Sequence, residues 1–265
     1  MNTEVREISP KIAAEMLKRN PNNRNLSKPH VNFLAREMMF GNWMFDGQPI
    51  RFSEAGGLLD GQHRLSAIVE SGTTQQFLII KGIDSEAFKV MDTGKVRSAA
   101  DVFNINGIVN AASASSTTRF IMAHESGYGS ASTQGAKISN TEALDYYKKH
   151  PKIEGYVGSS RAYYNGFNKI LALSHVSAYR YLMAQKNATK SDEFWNKVCY
   201  GLGLEKGCPA GVLRKKLIED RMNSTSLNGF DKKAIIIKAW NAYIKGQTLV
   251  YIRYNRELES YPEIM

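Results

Sequence analysis

The segment Leu58–Ile68 constrains the fold more than any other part of the chain. It reads Leu-Leu-Asp-Gly-Gln-His-Arg-Leu-Ser-Ala-Ile, which is typical of a short buried strand, a glycine turn and a helix. The N-terminal end of such a helix carries backbone N–H groups without intrahelical partners and the positive end of the helix dipole. Gly61 allows the backbone to approach a ligand closely. The segment therefore predicts a strand-to-helix junction that can hold an anion such as phosphate.

The polar side chains of this junction suit phosphate chemistry. Arg64 can bind an anion bidentately, His63 can orient a phosphate or an acceptor, and Asp60 can hold a cation such as Mg²⁺. The alternative is structural: Asp60 caps the helix, His63 faces solvent and Arg64 pairs with a surface acid. The chain has no Gly-x-x-x-x-Gly-Lys-Ser/Thr sequence, and no second His or Cys stands near the box at metal-ligand spacing.

The box Gly61-Gln62-His63-Arg64, followed by Ala67, resembles the signature of the ParB/sulfiredoxin superfamily. ParB proteins carry Gly-Glu-Arg-Arg-x-Arg-Ala here and bind CTP with it, sulfiredoxins carry Gly-Cys-His-Arg, and free-serine kinases carry Asp-Gly-His-His-Arg. The chain is most similar to the kinase form. Gln62 stands where sulfiredoxins have their cysteine, so sulfiredoxin chemistry is not expected. The resemblance covers roughly residues 1–100.

The order of the surrounding segments supports this resemblance. Asn20–Arg24 is similar to the Asn-Pro-x-x-x-Arg stretch of ParB domains, although it is one residue shorter. In those domains the equivalent loop faces the nucleotide, so Asn23 and Arg24 are predicted to contribute to the site; an ordinary turn is the alternative. Apolar residues at helical spacing from Val31 predict a helix that Ser27 caps. Strands are predicted at residues 49–52, 57–60 and 76–81.

A second polar segment, Met91–Ser98, follows a predicted short helix. Similar Asp-Thr-Gly-x-x-Arg segments accompany the box in phage- and plasmid-borne proteins of ParB-like type, and we expect this one to close over the nucleotide. The alternative is a polar loop in which Asp92 and Ser98 cap neighbouring helices. The predicted nucleotide-binding residues are Asn23, Arg24, Gly61, Gln62, Asp92, Thr93, Gly94, Lys95 and Arg97.

The pattern changes after Asp101, where strand-like runs nearly vanish and helical periodicity dominates. Helices are predicted over 111–124, 141–149, 174–185, 191–203, 209–222 and 230–246. We therefore predict an α/β chain: residues 1–104 form a small ParB/sulfiredoxin-like mixed α+β domain, and residues 105–265 form a mainly α-helical domain.

The net charge of +10 and a pI of about 9.5 favour contact with a polyanion, nucleic acid first. The candidate DNA-binding residues lie in the helical half: Arg214, Lys215, Lys216, Arg221, Lys232 and Lys233. Tyrosines at 163, 164, 179 and 181 alternate with Arg161 and Arg180 and could stack on bases. Core packing of the tyrosines and a solvated face of the lysines are the alternatives.

Composition also bears on location. The first residues lack an apolar signal region, no apolar run approaches the length of a membrane-spanning helix, and two cysteines suit a reducing compartment. We therefore expect a cytoplasmic protein (host cytoplasm if phage-encoded) without a membrane partner.

Three functions remain open at this point. The first is an Mg²⁺-dependent phosphotransferase or NTPase that uses ATP or CTP and acts on DNA or a nucleotide, with Asp60, His63 and Arg64 as catalytic residues and Asp60 as the metal ligand. The second is a DNA-binding protein that uses the nucleotide as a switch, with the nucleotide changing contacts between the protomers of a homodimer. The third is a ParB-like nuclease, for which no cluster of acidic metal ligands is evident.

Overall fold

The computed structural model describes residues 1–20, 26–84, 98–128, 138–223 and 227–265. The chain forms two compact units, Met1–Val96 and Arg97–Met265. The predicted boundary, after residue 104, lies further along the chain. The helix at Ala99–Ile105 belongs to the second unit because Phe103 is fully buried in a core cluster of that unit.

The first unit contains a four-stranded mixed sheet with the strand order β1-β4-β2-β3. The strands are β1 (Asn2–Ile8), β2 (Pro49–Ser53), β3 (Leu58–Asp60) and β4 (Gln75–Ile83). Strand β1 pairs antiparallel with β4, β2 pairs parallel with β4, and β3 pairs antiparallel with β2. The described residues of this unit also form the helices α1 (Pro10–Leu17), α2 (Lys28–Met39) and α3 (Gln62–Ser71).

The core of the first unit joins the sheet to these helices. Ile50 and Ile79 are fully buried in neighbouring strands, and Val31 and Ala35 of α2 pack into the same cluster with Leu65 of α3. Apolar side chains from alternate strand positions and from the apolar faces of the helices therefore pack together in one hydrophobic core. The predicted strands β2, β3 and β4 and the predicted helices α2 and α3 are confirmed.

The second unit is helical, with no strand in its described residues. Its helices are α4 (Ala99–Ile105), α5 (Ala111–Ala123), α6 (Asn140–Lys149), α7 (Lys152–Gly166), α8 (Leu173–Lys186), α9 (Ala188–Tyr200), α10 (Pro209–Met222) and α11 (Gly229–Ile244). Helices α5, α6 and α8–α11 confirm predicted ones, whereas α4 and α7 were not predicted. Mixed α+β content with a predominance of helix is therefore confirmed for the chain.

Helix α8 forms the centre of the second unit. All eight residues from Val176 to Met183 are buried, so the central two turns of the helix have no solvent face. One core cluster gathers around Trp195 and Trp240, another around Phe103 and Ile121, and α8 contributes to both. No helix in the described part of either unit is long and apolar enough to cross a membrane.

Candidate functional site

The predicted junction exists and depends on Gly61. Strand β3 ends at Asp60, and Gly61 begins α3 as its N-cap with a φ of +105°. A Cβ atom at this position would lie 3.0–3.3 Å from side-chain carbons of Ile50. Glycine is therefore required both for its conformation and for close packing of the turn on β2. Asp60 does not cap the helix, because no side chain makes a cap hydrogen bond at this end.

We predict that Gly61→Ala lowers the free energy of unfolding by about 2 kcal/mol or more, because alanine in this conformation is strained and its Cβ meets Ile50. Gly72→Ala is the matched control. Gly72 has a φ of +67°, but nothing lies within 4 Å of an added Cβ, so only the conformational cost of about 1 kcal/mol applies. Urea unfolding measures both. Equal losses in the two variants would contradict the role of the Ile50 contact.

Two arginines converge on one carboxylate oxygen at this junction. Asp60 Oδ2 accepts a hydrogen bond from Arg51 Nη1 at 2.9 Å and another from Arg64 Nη2 at 2.9 Å. Arg64 Nη1 also donates to Gln48 Oε1 at 3.4 Å. The Arg64 side chain is 12% exposed and that of Arg51 28%, so both remain reachable from solvent. We call this the Arg51–Asp60–Arg64 cluster; it carries one net positive charge.

Sequence reasoning missed Arg51. The signal that could have found it is the pairing of two predicted strands: β2 and β3 are antiparallel, and Arg51 lies directly opposite Asp60 in their register. The sequence alternative for Arg64, pairing with an acid, also occurs in the structure. That acid is Asp60 itself, four residues earlier at the end of β3, and not a residue elsewhere on the surface.

The side chains of Gln62 and His63 turn inward and hold neighbouring segments. Gln62 Oε1 accepts a hydrogen bond from Asn20 Nδ2 at 3.1 Å, and His63 Nε2 accepts one from the Ser27 N–H at 3.0 Å. Both side chains are buried, so the alternative in which His63 faces solvent is wrong. Neutral His63 with Nε2 as acceptor carries its proton on Nδ1. The ring of His30 lies 5.3 Å from that of His63.

These two hydrogen bonds join Asn20 and Ser27 to the first turn of α3. Asn20 precedes and Ser27 follows the segment that contains Asn23 and Arg24, so both flanks of that segment are anchored beside the junction. Seven predicted nucleotide-binding residues lie outside the described residues: Asn23, Arg24, Asp92, Thr93, Gly94, Lys95 and Arg97. Ser98, in the second unit, caps α4 and accepts a hydrogen bond from the Asp101 N–H, as the structural alternative predicts.

The donors near the junction suit a phosphate better than a metal held by protein ligands alone. Among the described residues, no group of three or more His, Cys, Asp or Glu side chains could hold a metal ion. Asp60 supplies one carboxylate, and its Oδ2 already accepts from two arginines. A Mg²⁺ ion at this place would therefore take most of its ligands from bound phosphates and water, as is usual for that ion.

The basic residues of α10 are Arg214, Lys215, Lys216 and Arg221, and they have different surroundings. Arg214 Nη1 donates to the carbonyl oxygens of Val198 and Cys199 at 2.7 and 2.9 Å, so this arginine satisfies the C-terminal end of α9. Lys215 and Arg221 are exposed, and Lys216 is half-buried. Lys215 lies 3.9 Å from Glu219, which leaves a weak surface pair.

The second basic group begins α11. Lys232 Nζ pairs with Asp220 Oδ2 at 2.7 Å, and the Asp220 side chain is only 3% exposed. Asp220 also accepts a hydrogen bond from the Leu227 N–H. Lys232 therefore neutralises a buried acid, and its charge is largely used inside the protein. Lys233 lies instead with its Nζ 4.9 Å from the ring centroid of Phe120.

Of the alternating tyrosines and arginines, Tyr179, Arg180 and Tyr181 belong to the core. Arg180 is 5% exposed; its guanidinium lies 4.0 Å from the Tyr163 ring centroid and 5.5 Å from that of Tyr156. It also donates to hydroxyls of Ser159 and Ser160. Tyr179 is fully buried and Tyr181 is 5% exposed. The core alternative is confirmed for these two tyrosines, and base stacking by them is excluded in this conformation.

The second unit is expected to become less stable as the pH decreases, because of His175. Burial lowers the pKa of this residue to about 4, and Lys233 and Lys232 contribute. The folded pKa is thus below the unfolded value near 6.5, so the unfolded state binds the proton more readily. The contribution is fully present above pH 6.5 and is lost as pH falls from 6.5 to 4, by about 3 kcal/mol. Urea unfolding of wild type and His175→Phe across this range measures it; identical pH slopes would contradict the prediction.

No protein-family model matches the chain, and no curated protein or solved structure was found to match it.

Proposed function

We propose that the first unit binds the phosphates of a nucleoside triphosphate, ATP or CTP, at the Arg51–Asp60–Arg64 cluster. We further propose that the protein is an Mg²⁺-dependent phosphotransferase or NTPase of ParB/sulfiredoxin type that acts on DNA or a nucleotide. The observation that carries this proposal is the convergence of two guanidiniums on Asp60 Oδ2 beside the N-terminus of α3.

The charges and donors of the cluster support phosphate binding. A guanidinium has five N–H donors. Arg51 uses Nη1 for Asp60, and Arg64 uses its two terminal nitrogens for Asp60 and Gln48, so N–H donors remain on both. Asp60 holds the two planar groups in fixed positions, which lowers the entropy lost when an anion binds. The positive end of the α3 dipole adds to the attraction.

The residues of the Arg51–Asp60–Arg64 cluster bind the ligand in this proposal, and Gln62 and His63 position the turn. Arg64 and Arg51 contact the phosphates and stabilise charge that builds up on them. Asp60 orients the arginines, and its second oxygen would help to hold Mg²⁺, which would supply charge neutralisation at the phosphates. Gln62 and His63 are positioning residues, because their acceptor atoms are engaged by Asn20 and Ser27. We assign no catalytic base.

A second candidate function is a DNA-binding protein that uses the nucleotide as a switch and forms a homodimer. The observation that favours it is the engagement of Asp60, since a carboxylate shared by two arginines is a weaker metal ligand than an unpaired one. The exposed Lys215 and Arg221 and the net charge of +10 supply a basis for phosphate-backbone contact. No observation favours a nuclease.

Incubation with Mg²⁺ and γ-labelled ATP or CTP, with and without DNA, tests the proposal. Label transferred to DNA or to a nucleotide supports the phosphotransferase, and release of labelled phosphate supports the NTPase. Binding without turnover supports the switch. Absence of nucleotide binding by the wild-type protein would overturn both candidates. A gel-shift assay at increasing salt tests DNA contact separately, because phosphate contacts weaken steeply with salt.

A further inference from the structure

A second place with unused positive charge lies within the second unit. Lys233 of α11 extends its ammonium over the ring of Phe120 in α5, at 4.9 Å from the centroid. The ring of His175, in α8, lies 4.8 Å from that of Phe120. His124, the C-cap of α5, lies one helical turn after Phe120, and the charge of Lys233 contributes to lowering its pKa. We call Phe120, His124, His175 and Lys233 the Lys233 cluster.

The ammonium of Lys233 differs from that of its neighbour because it has no acidic partner among the residues that the structure describes. Lys232 is paired with Asp220 at 2.7 Å, whereas within the described part of the chain Lys233 makes no ion pair and no hydrogen bond. Both are half-buried. A cation withdrawn from water loses solvation energy, and a ring face returns only part of it. The structure thus keeps a desolvated charge whose natural complement is an anion.

The histidines beside Lys233 are neutral, and a bound ligand can change their protonation. Burial lowers the pKa of His124, His175 and Lys233. The charges that act on His175 are Lys233 and Lys232, and those on His124 are Glu125, Lys233 and Glu263. The Glu125 carboxylate accepts a hydrogen bond from Tyr146 at 2.7 Å. A bound anion would favour the protonated form of both rings, each of which would then donate from either nitrogen.

We propose that the Lys233 cluster binds a phosphate-type oxyanion, with Lys233 supplying the charge and His124 and His175 supplying N–H donors. All four side chains are half-buried, so an anion can reach them from solvent. The anion is either free phosphate or a phosphate group of a polynucleotide backbone, which share the same chemistry. This site is built entirely from the second unit and does not depend on nucleotide binding at Asp60.

The test is a titration of the full-length protein with sodium phosphate at pH 6.5, with sodium chloride at equal ionic strength as reference. Histidine side-chain resonances are followed by NMR and assigned from single His→Gln variants. We expect phosphate to move the His124 and His175 resonances towards the protonated form. We expect Lys233→Met to weaken this response at least tenfold and Lys245→Met, at the exposed C-terminal end of α11, to leave it unchanged. Equal responses to chloride, or in Lys233→Met, would overturn the proposal.

Thermal unfolding keeps the proposal testable if Lys233→Met folds poorly. Phosphate should raise the melting temperature of the wild-type protein above that in chloride, and Lys233→Met should melt at or above wild type when phosphate is absent. No phosphate stabilisation of wild type would count against the site. A 20-base-pair DNA duplex forms a second arm: the same resonance shifts with DNA, lost at high salt, identify a polynucleotide as the source. Shifts with free phosphate alone identify the small anion.

Discussion

Arg64→Met is expected to lower the affinity of the protein for ATP, CTP and inorganic tripolyphosphate roughly 100-fold. Hydrogen bonds to charged groups contribute about 1.5–3 kcal/mol each, and 1.4 kcal/mol corresponds to a tenfold change in affinity. Methionine keeps much of the side-chain volume and removes every donor. The loss also leaves Asp60 with Arg51 as its remaining partner in the cluster, so the local charge changes from positive to neutral.

Calorimetric titration at constant salt measures this effect, and Arg6→Met is the matched control. Arg6 is an exposed arginine of β1, and β1 and β3 form opposite edges of the sheet, so its loss changes net charge without touching the cluster. Arg51→Met should weaken binding in the same direction as Arg64→Met. If tripolyphosphate binds equally well to wild type and both cluster variants, Arg51 and Arg64 do not form a phosphate site.

The second large effect is expected at Arg180, where Arg180→Ala should lower the free energy of unfolding by about 4 kcal/mol. The variant loses bonds to Ser159 and Ser160, a pair with Asp192 at 2.9 Å and the stacking on Tyr163, and it leaves a cavity beside buried groups. Asp192 is 56% exposed, so its own removal should cost much less than removal of the arginine.

Urea unfolding of three variants separates the contributions. Arg180→Met fills most of the volume and loses only the polar contacts, so we expect an intermediate loss of stability. Arg161→Ala is the control, since Arg161 lies in the same unit, is exposed and makes one long contact of 3.5 Å to Asn110. A change below 1 kcal/mol for Arg180→Ala would show that the buried network contributes little to stability.

Elements with a clear apolar pattern were predictable from the sequence. Strands β2 and β4 alternate buried and partly exposed residues, and α2 has one apolar face. Strand β1 was missed because six of its seven residues are exposed, so it is held mainly by its pairing with β4 and has no hydrophobic signature. Helix α7 was missed because it contains three glycines and few buried positions.

The site was predictable in its backbone and less so in its contacts. The strand, the glycine turn and the helix follow from local sequence, and each has its expected place. The pairing of Arg51 with Asp60 depends on the register between strands, which local patterns do not specify. The inward orientation of His63 depends on where the chain at Ser27 passes, which is a tertiary contact 36 residues away. The residue types in this motif indicate neither the pairing of Arg51 with Asp60 nor the inward orientation of His63.

The pairing of β1 with β4 has a consequence for the kinetics of folding. Glu4 of β1 and Lys81 of β4 form an ion pair across the two strands although 77 residues separate them, so the sheet is completed only after a long loop has closed. Loop closure costs entropy before the contact returns energy, and non-local pairing slows folding. The second unit consists of helices that pack largely on their neighbours in sequence, such as α7 on α8 and α10 on α11. The unit that carries the Asp60 junction should therefore be the slower of the two to reach its native state.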